Sequence, residues 1–119
     1  MIWVKLGSLM MFSAVALGAF GAHALRGKLG LSAMEIYKTA VLYHFVHALG
    51  LFVVSWLSQN SSDPKISWAG IFFLAGILLF SGSLYLLAIT GNKSLGAITP
   101  LGGLAFLTGW AVLFFSIKG

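Results

Sequence analysis

The sequence has no cysteine, two prolines and two acidic residues in 119 positions. Without cysteine there is neither a disulfide nor a thiolate metal ligand. Glu35 and Asp63 are the only side-chain carboxylates, so the apolar stretches contain no carboxylate pair for acid–base chemistry and none to complete a metal site. Charge of either sign is scarce, at 8% of residues, where a soluble domain carries about a quarter. Seven Lys/Arg give a formal net charge of +5. They stand one or two to a loop, whereas nucleic-acid binding needs a concentrated basic face. No glycine-rich phosphate loop follows a strand, and no Ser/His/Asp set lies within the apolar stretches.

Apolar residues are abundant instead. They make up 60% of the chain, and mean hydropathy is +1.02. The apolar runs fall at about residues 3–25, 33–58, 64–90 and 100–117. The last and shortest is roughly 27 Å long at about 1.5 Å per residue, just enough for a bilayer core. The sequence therefore predicts an all-α integral membrane four-helix bundle, with residues 1–119 as one transmembrane domain. A signal peptide ending at Ala22-His23-Ala24 is the rival reading of the first run. Ser32 and Glu35 have the spacing of a capping box at the start of the second span. Asp63-Pro64 and Thr99-Pro100 read as N-cap plus first helical residue of the third and fourth.

Four spans put both termini and the 59–65 loop on one face, side A, and the 26–31 and 91–96 loops on the other, side B. Lys5, Lys65 and Lys118 fall on side A; Arg26, Lys28, Lys38 and Lys93 fall on side B. The small excess of positive residues favours a cytoplasmic side B. Trp3, Trp56 and Trp68 lie near the side A ends, as half of an aromatic belt.

Two features inside the spans go beyond mere crossing. On the first, Gly7, Met11, Ala14, Gly18 and Gly21 fall on one helical stripe, Ala14, Gly18 and Ala22 form a doubled small-xxx-small row, and Gly102 and Gly103 open the fourth; small residues allow helix backbones to approach closely in lipid. The second feature is a set of polar residues. Counting helix rise from side B puts His23 about 4–5 Å deep, His44 about 9 Å and His47 about 13–14 Å. Ser81, Ser83 and Tyr85 approach the same side on the third span, and Thr99 begins the fourth. An intramembrane histidine is costly and marks a candidate site. His44 and His47 share a helical face with Ala40, Ala48 and Leu51, so both are expected to face inward and at least one to bond to another span. His23, Ser81, Ser83, Tyr85 and Thr99 are the expected partners. The competing reading is structural, with serine and threonine bonded to their own helix and neutral histidine satisfied across a helix interface.

Gly18-Ala-Phe-Gly-Ala-His-Ala-Leu25, Tyr43-His-Phe-Val-His-Ala-Leu49 and Leu95-Gly-Ala-Ile-Thr-Pro-Leu-Gly-Gly-Leu104 together resemble the YgdD/YwdK family of small bacterial inner-membrane proteins. The likeness covers nearly the whole chain. It implies a multi-pass protein with four spans in the bacterial inner membrane, and it supplies no catalytic residue.

The functional expectation is a non-enzymatic structural, accessory or interaction protein. It has no cofactor or metal and is surrounded by membrane lipids. It self-associates as a homo-oligomer or accompanies a larger membrane complex. The alternative is a small oligomeric transporter or proton-linked channel using the histidines. A haem or metal electron-transfer subunit ranks below both, His23 with His44 being its nearest ligand pair.

Overall fold

The computed structural model describes residues 1–117; Lys118, placed on side A by the sequence, lies outside them. Helix α1 spans Ile2–His23, α2 Leu31–Gln59, α3 Pro64–Gly76, α4 Gly82–Thr90 and α5 Thr99–Ser116. A π-helical turn, Ile77–Ser81, joins α3 to α4 without a break, and a 3₁₀ turn, Lys93–Ala97, leads into α5. Four helical stretches are long and apolar enough to cross a membrane: Ile2–His23, Leu31–Gln59, Pro64–Thr90 and Lys93–Ser116.

The helix starts follow local chemistry, with two corrections. Asp63 is the N-cap of α3, accepting from the Lys65 backbone N–H at 2.9 Å, with Pro64 as the first helical residue. The Ser32/Glu35 capping box does not form. Gly30, in an extended conformation, is the N-cap of α2 and no side chain caps it; the Gly30 carbonyl accepts from Met34 N–H at 3.0 Å. Glycine is itself a favourable N-cap, so the helix starts before Ser32 and leaves that serine inside its first turn. Thr99 is not an N-cap either. That position falls to Ile98, again without a side-chain cap: Ile98 is already helical and its carbonyl accepts from Leu101 and Gly102, so Thr99 lies inside the first turn, where its hydroxyl meets Ser83 at 2.6 Å. At the end of α4, Gly91 takes a left-handed φ of 70°, a conformation that glycine adopts at no steric cost.

The four spans are not equivalent. Within their apolar windows α2 and the third span are 44% and 39% buried, against 11% for α1 and 22% for α5. The central pair is α2 with α3–π–α4; α1 packs on α2, and α5 packs on α3 and the π turn. Leu51, Val54, Ile66, Phe73, Ile77, Phe106 and Leu113 form the main buried core. Phe73 fits a slot between two glycines: a Cβ on Gly50 of α2 would lie 3.2 Å from its ring, and one on Gly109 of α5 would lie 2.7 Å away. Small residues here let the aromatic ring take the place of a side chain, which is how close packing is achieved without hydrophobic drive.

On α1 the buried residues are Gly7, Ala14 and Gly21, all on the expected stripe, while the small-xxx-small row turns partly away. Gly18 is half-buried and Ala22 is exposed. The Tyr37 ring of α2 packs against this stripe. It fills the space beside Gly21, and its hydroxyl donates to the Leu17 carbonyl. Trp56 and Trp68 are exposed at side A, whereas the Trp3 ring turns inward, 2.7 Å from where a Cβ on Gly70 would stand.

This topology makes a direct expectation. Single cysteines at Ser61 and Lys93, introduced into a chain that has no other cysteine, label from opposite membrane faces with an impermeant maleimide. Labelling of both from one face would overturn the even count of spans.

Candidate functional site

His44 and His47 lie near the midpoint of α2, on a face with Ala40, Ala48 and Leu51, and are only 4% and 3% exposed. An imidazole in the membrane finds no partner in lipid, so each ring nitrogen must be satisfied from within the protein. Both rings achieve this, in different ways.

The His44 Nε2 lies 3.1 Å from the Ser13 hydroxyl of α1, and its Nδ1 lies 2.9 Å from the Tyr85 hydroxyl of α4. Ser13 donates to the Met10 carbonyl at 2.9 Å. Its oxygen is therefore the acceptor for His44 Nε2–H, and His44 Nδ1 accepts from Tyr85 O–H. The opposite polarity would leave the buried Tyr85 proton without an acceptor. The bonds run one way, Tyr85 to His44 to Ser13 to Met10, and tie the third span, α2 and α1 together.

For His47 the polarity is forced by chemistry. Tryptophan has only a donor, and Trp110 Nε1–H of α5 donates to His47 Nε2 at 2.9 Å. The proton of the neutral ring is then on Nδ1, which donates to the Tyr43 carbonyl at 2.9 Å. The ring also stacks on Phe106, with centroids 3.5 Å apart and planes 9° from parallel, and meets the edge of Phe73 at 5.5 Å. The two histidines thus hold opposite tautomers: Nε2–H for His44 and Nδ1–H for His47. Nitrogen-15 NMR of the labelled protein in bilayers should resolve two neutral rings of opposite tautomer. Two rings of the same tautomer would contradict the bond directions.

The remaining candidates divide into separate links. Ser81 donates to the Ala40 carbonyl of α2 at 2.8 Å. Ser83 donates to the Phe80 carbonyl at 3.1 Å, so Thr99 donates to Ser83 across the 2.6 Å contact. Thr39, Thr90 and Thr108 bond back to carbonyls of their own helices. His23 is the exposed last residue of α1. Ser13, which touches His44, lies roughly 15 Å away by helix rise, so His23 joins neither His44 nor His47. Because the nitrogens of both buried imidazoles are already engaged, the proposed His23–His44 haem pair has no geometric basis. Among the described residues no three His, Asp or Glu side chains are grouped to hold a metal ion.

Sequence reasoning missed two partners, Ser13 and Trp110. The depth count takes Lys38 as the edge of the membrane, whereas α2 begins seven residues earlier, at Leu31. Measured from Leu31, both histidines stand about 10 Å further along α2 than counted, and they meet partners from the middles of α1 and α5.

Among the described residues, no buried side-chain nitrogen or oxygen lacks a hydrogen-bond partner. The result is a polar framework whose buried groups are satisfied within the chain.

Comparison with known proteins agrees with this architecture. Residues 17–103 match the family described as "Protein of unknown function (DUF423)". The UPF0382 membrane protein YwdK of Bacillus subtilis is 48% identical over 113 residues, covering 94% of this chain and 92% of YwdK. The UPF0382 membrane protein SH2409 of Staphylococcus haemolyticus is 44% identical over 115 residues, covering 97% and 93%. The UPF0382 membrane protein SERP0230 of Staphylococcus epidermidis is 47% identical over 112 residues, covering 94% and 91%. No solved structure matches the chain. With four membrane-length helices and relatives of this similarity along nearly its whole length, the chain is a multi-pass membrane protein and belongs to the DUF423 family.

Proposed function

We propose that this protein is a non-catalytic interaction module of the membrane, a self-associating or accessory subunit whose outer helices face a neighbour. One observation carries the reading: every buried polar side-chain atom among the described residues is already bonded within the chain. A transport site needs polar groups free to exchange partners with a passing solute or proton. Here the imidazoles serve as cross-links between spans. Meanwhile α1 and α5 direct large apolar side chains outward, Phe12 at 74% and Leu107 at 69% exposure among them.

A proton-linked role is the second reading, and the directional bond chain through Tyr85, His44 and Ser13 favours it. The chain ends on the Met10 carbonyl, which does not relay a proton, so the structural reading ranks first.

A photo-crosslinking amino acid at position 12 or 107, activated in native membranes, is expected to give discrete protein adducts. Proteoliposomes are expected to show the same proton leak as empty vesicles. Adducts to lipid alone would defeat the interaction reading. A proton flux abolished by His44→Phe, with the fold retained, would establish the second.

A further inference from the structure

On side B the turn between α1 and α2 borders an open cavity of about 600 Å³, lined among others by Arg26, Leu29, Leu31, Met34, Glu35 and Lys38. It plays no part in the histidine framework. Its walls combine two features rarely needed together on a soluble surface: an apolar patch, with Leu31 89% exposed, and two cations beside one anion. The Lys65–Asp63 pair is the one salt bridge among the described residues. Arg26, Lys38 and Glu35 therefore line the cavity without ion-pair partners. The location suits a membrane boundary, because α1 ends at His23 and Lys38 is the last full charge before the uncharged run of α2. Long basic side chains at such a level reach the headgroup region.

From this juxtaposition we infer that the cavity binds the headgroup of an amine-bearing glycerophospholipid from the side B leaflet. Arg26 and Lys38 face its phosphate, Glu35 faces its ammonium, and Leu29, Leu31 and Met34 cover the first part of the acyl chains. The charge pattern selects the class. Two cations and one carboxylate complement a phosphate with an attached primary ammonium. A glycerol headgroup leaves Glu35 unpaired, and a trimethylated choline offers it no N–H. The phosphate contacts are charge-assisted, and Arg26 can make them bidentate.

The test uses the full chain, purified in mild detergent with equal amounts of ethanolamine, glycerol and choline phospholipids and read by native mass spectrometry. Wild-type protein is expected to retain the ethanolamine lipid preferentially. Arg26→Gln and Lys38→Gln should each lower its retention about fivefold, and the double variant more. Glu35→Gln should erase the headgroup preference while leaving phosphate-dependent retention in place. None of these side chains forms an ion pair among the described residues, so an unchanged thermal midpoint of each variant serves as the folding control. Equal retention of the three lipids by the wild type, or undiminished retention by the double variant, would overturn the assignment. Displacement of the lipid by inorganic phosphate would make the cavity an anion site instead. A change confined to oligomeric size would show that it seats a second copy of the chain. Either result also sinks the lipid proposal.

Discussion

Gly102→Ala is expected to destabilise the bundle by about 1–3 kcal/mol, toward the upper end of the usual cost of overpacking. The reason is the nature of the obstacle. A Cβ at Gly102 would run into the backbone nitrogen and Cα of Phe80, in the π turn Ile77–Ser81, and backbone cannot rotate away as a side chain can. The turn is pinned on its other side by the Ser81 bond to the Ala40 carbonyl. To admit the methyl group, α5 must back off. The neighbouring residue provides the control. A Cβ on Gly103 would lie 3.8 Å from the Phe80 ring, an ordinary contact, so Gly103→Ala should stay within about 0.5 kcal/mol of wild type. Thermal or denaturant unfolding in mild detergent reads both. Equal effects at the two positions would show that α5 does not dock on the π turn as described.

The two glycines also show where sequence reasoning reaches its limit. Both stand in one small-residue motif, and composition alone assigns them the same packing role. Their difference depends on which way α5 faces and on the π turn beneath it. No periodicity announces that turn; Gly76 and Gly82 merely flank it. The spans themselves were legible because bilayer thickness fixes helix length and because Asp63-Pro64 marks a start. The Ser32/Glu35 box and the Thr99 cap were misread for one shared reason. A capping position is set by where the backbone turns helical, which is at Gly30 for α2 and at Ile98 for α5, each one or two residues before the residue expected. That His44 and His47 turn inward follows from the small residues sharing their face. The identity of their partners does not, since it depends on how far along α2 the two rings stand, and α2 begins at Leu31 rather than near Lys38.

The His47–Trp110 link offers the other large effect, and its signature is non-additivity. His47→Phe keeps a ring to stack on Phe106 but removes the acceptor for Trp110 Nε1–H. Trp110→Phe keeps an aromatic beside Phe73, whose ring now lies 4.5 Å from the indole, but leaves His47 Nε2 without its donor. Each single change strands one polar group, at a cost of about 1–3 kcal/mol when that group is buried. The double variant strands neither, because both partners become apolar, and such paired replacement can be close to neutral. Its loss should therefore fall short of the sum of the singles. Interhelical hydrogen bonds in a membrane bundle have measured couplings averaging about 0.6 kcal/mol, with a maximum near 1.7. A shortfall of that size is the expected result for this pair, read from unfolding midpoints of the four proteins in a double-mutant cycle. Strict additivity would mean that the indole and the imidazole do not depend on each other, and the cross-link from α2 to α5 would have to be abandoned. The same cycle bears on function. If His47 is a cross-link, lost stability is the whole consequence of its removal, and a double variant that recovers stability should also recover every adduct formed by the outer helices in native membranes.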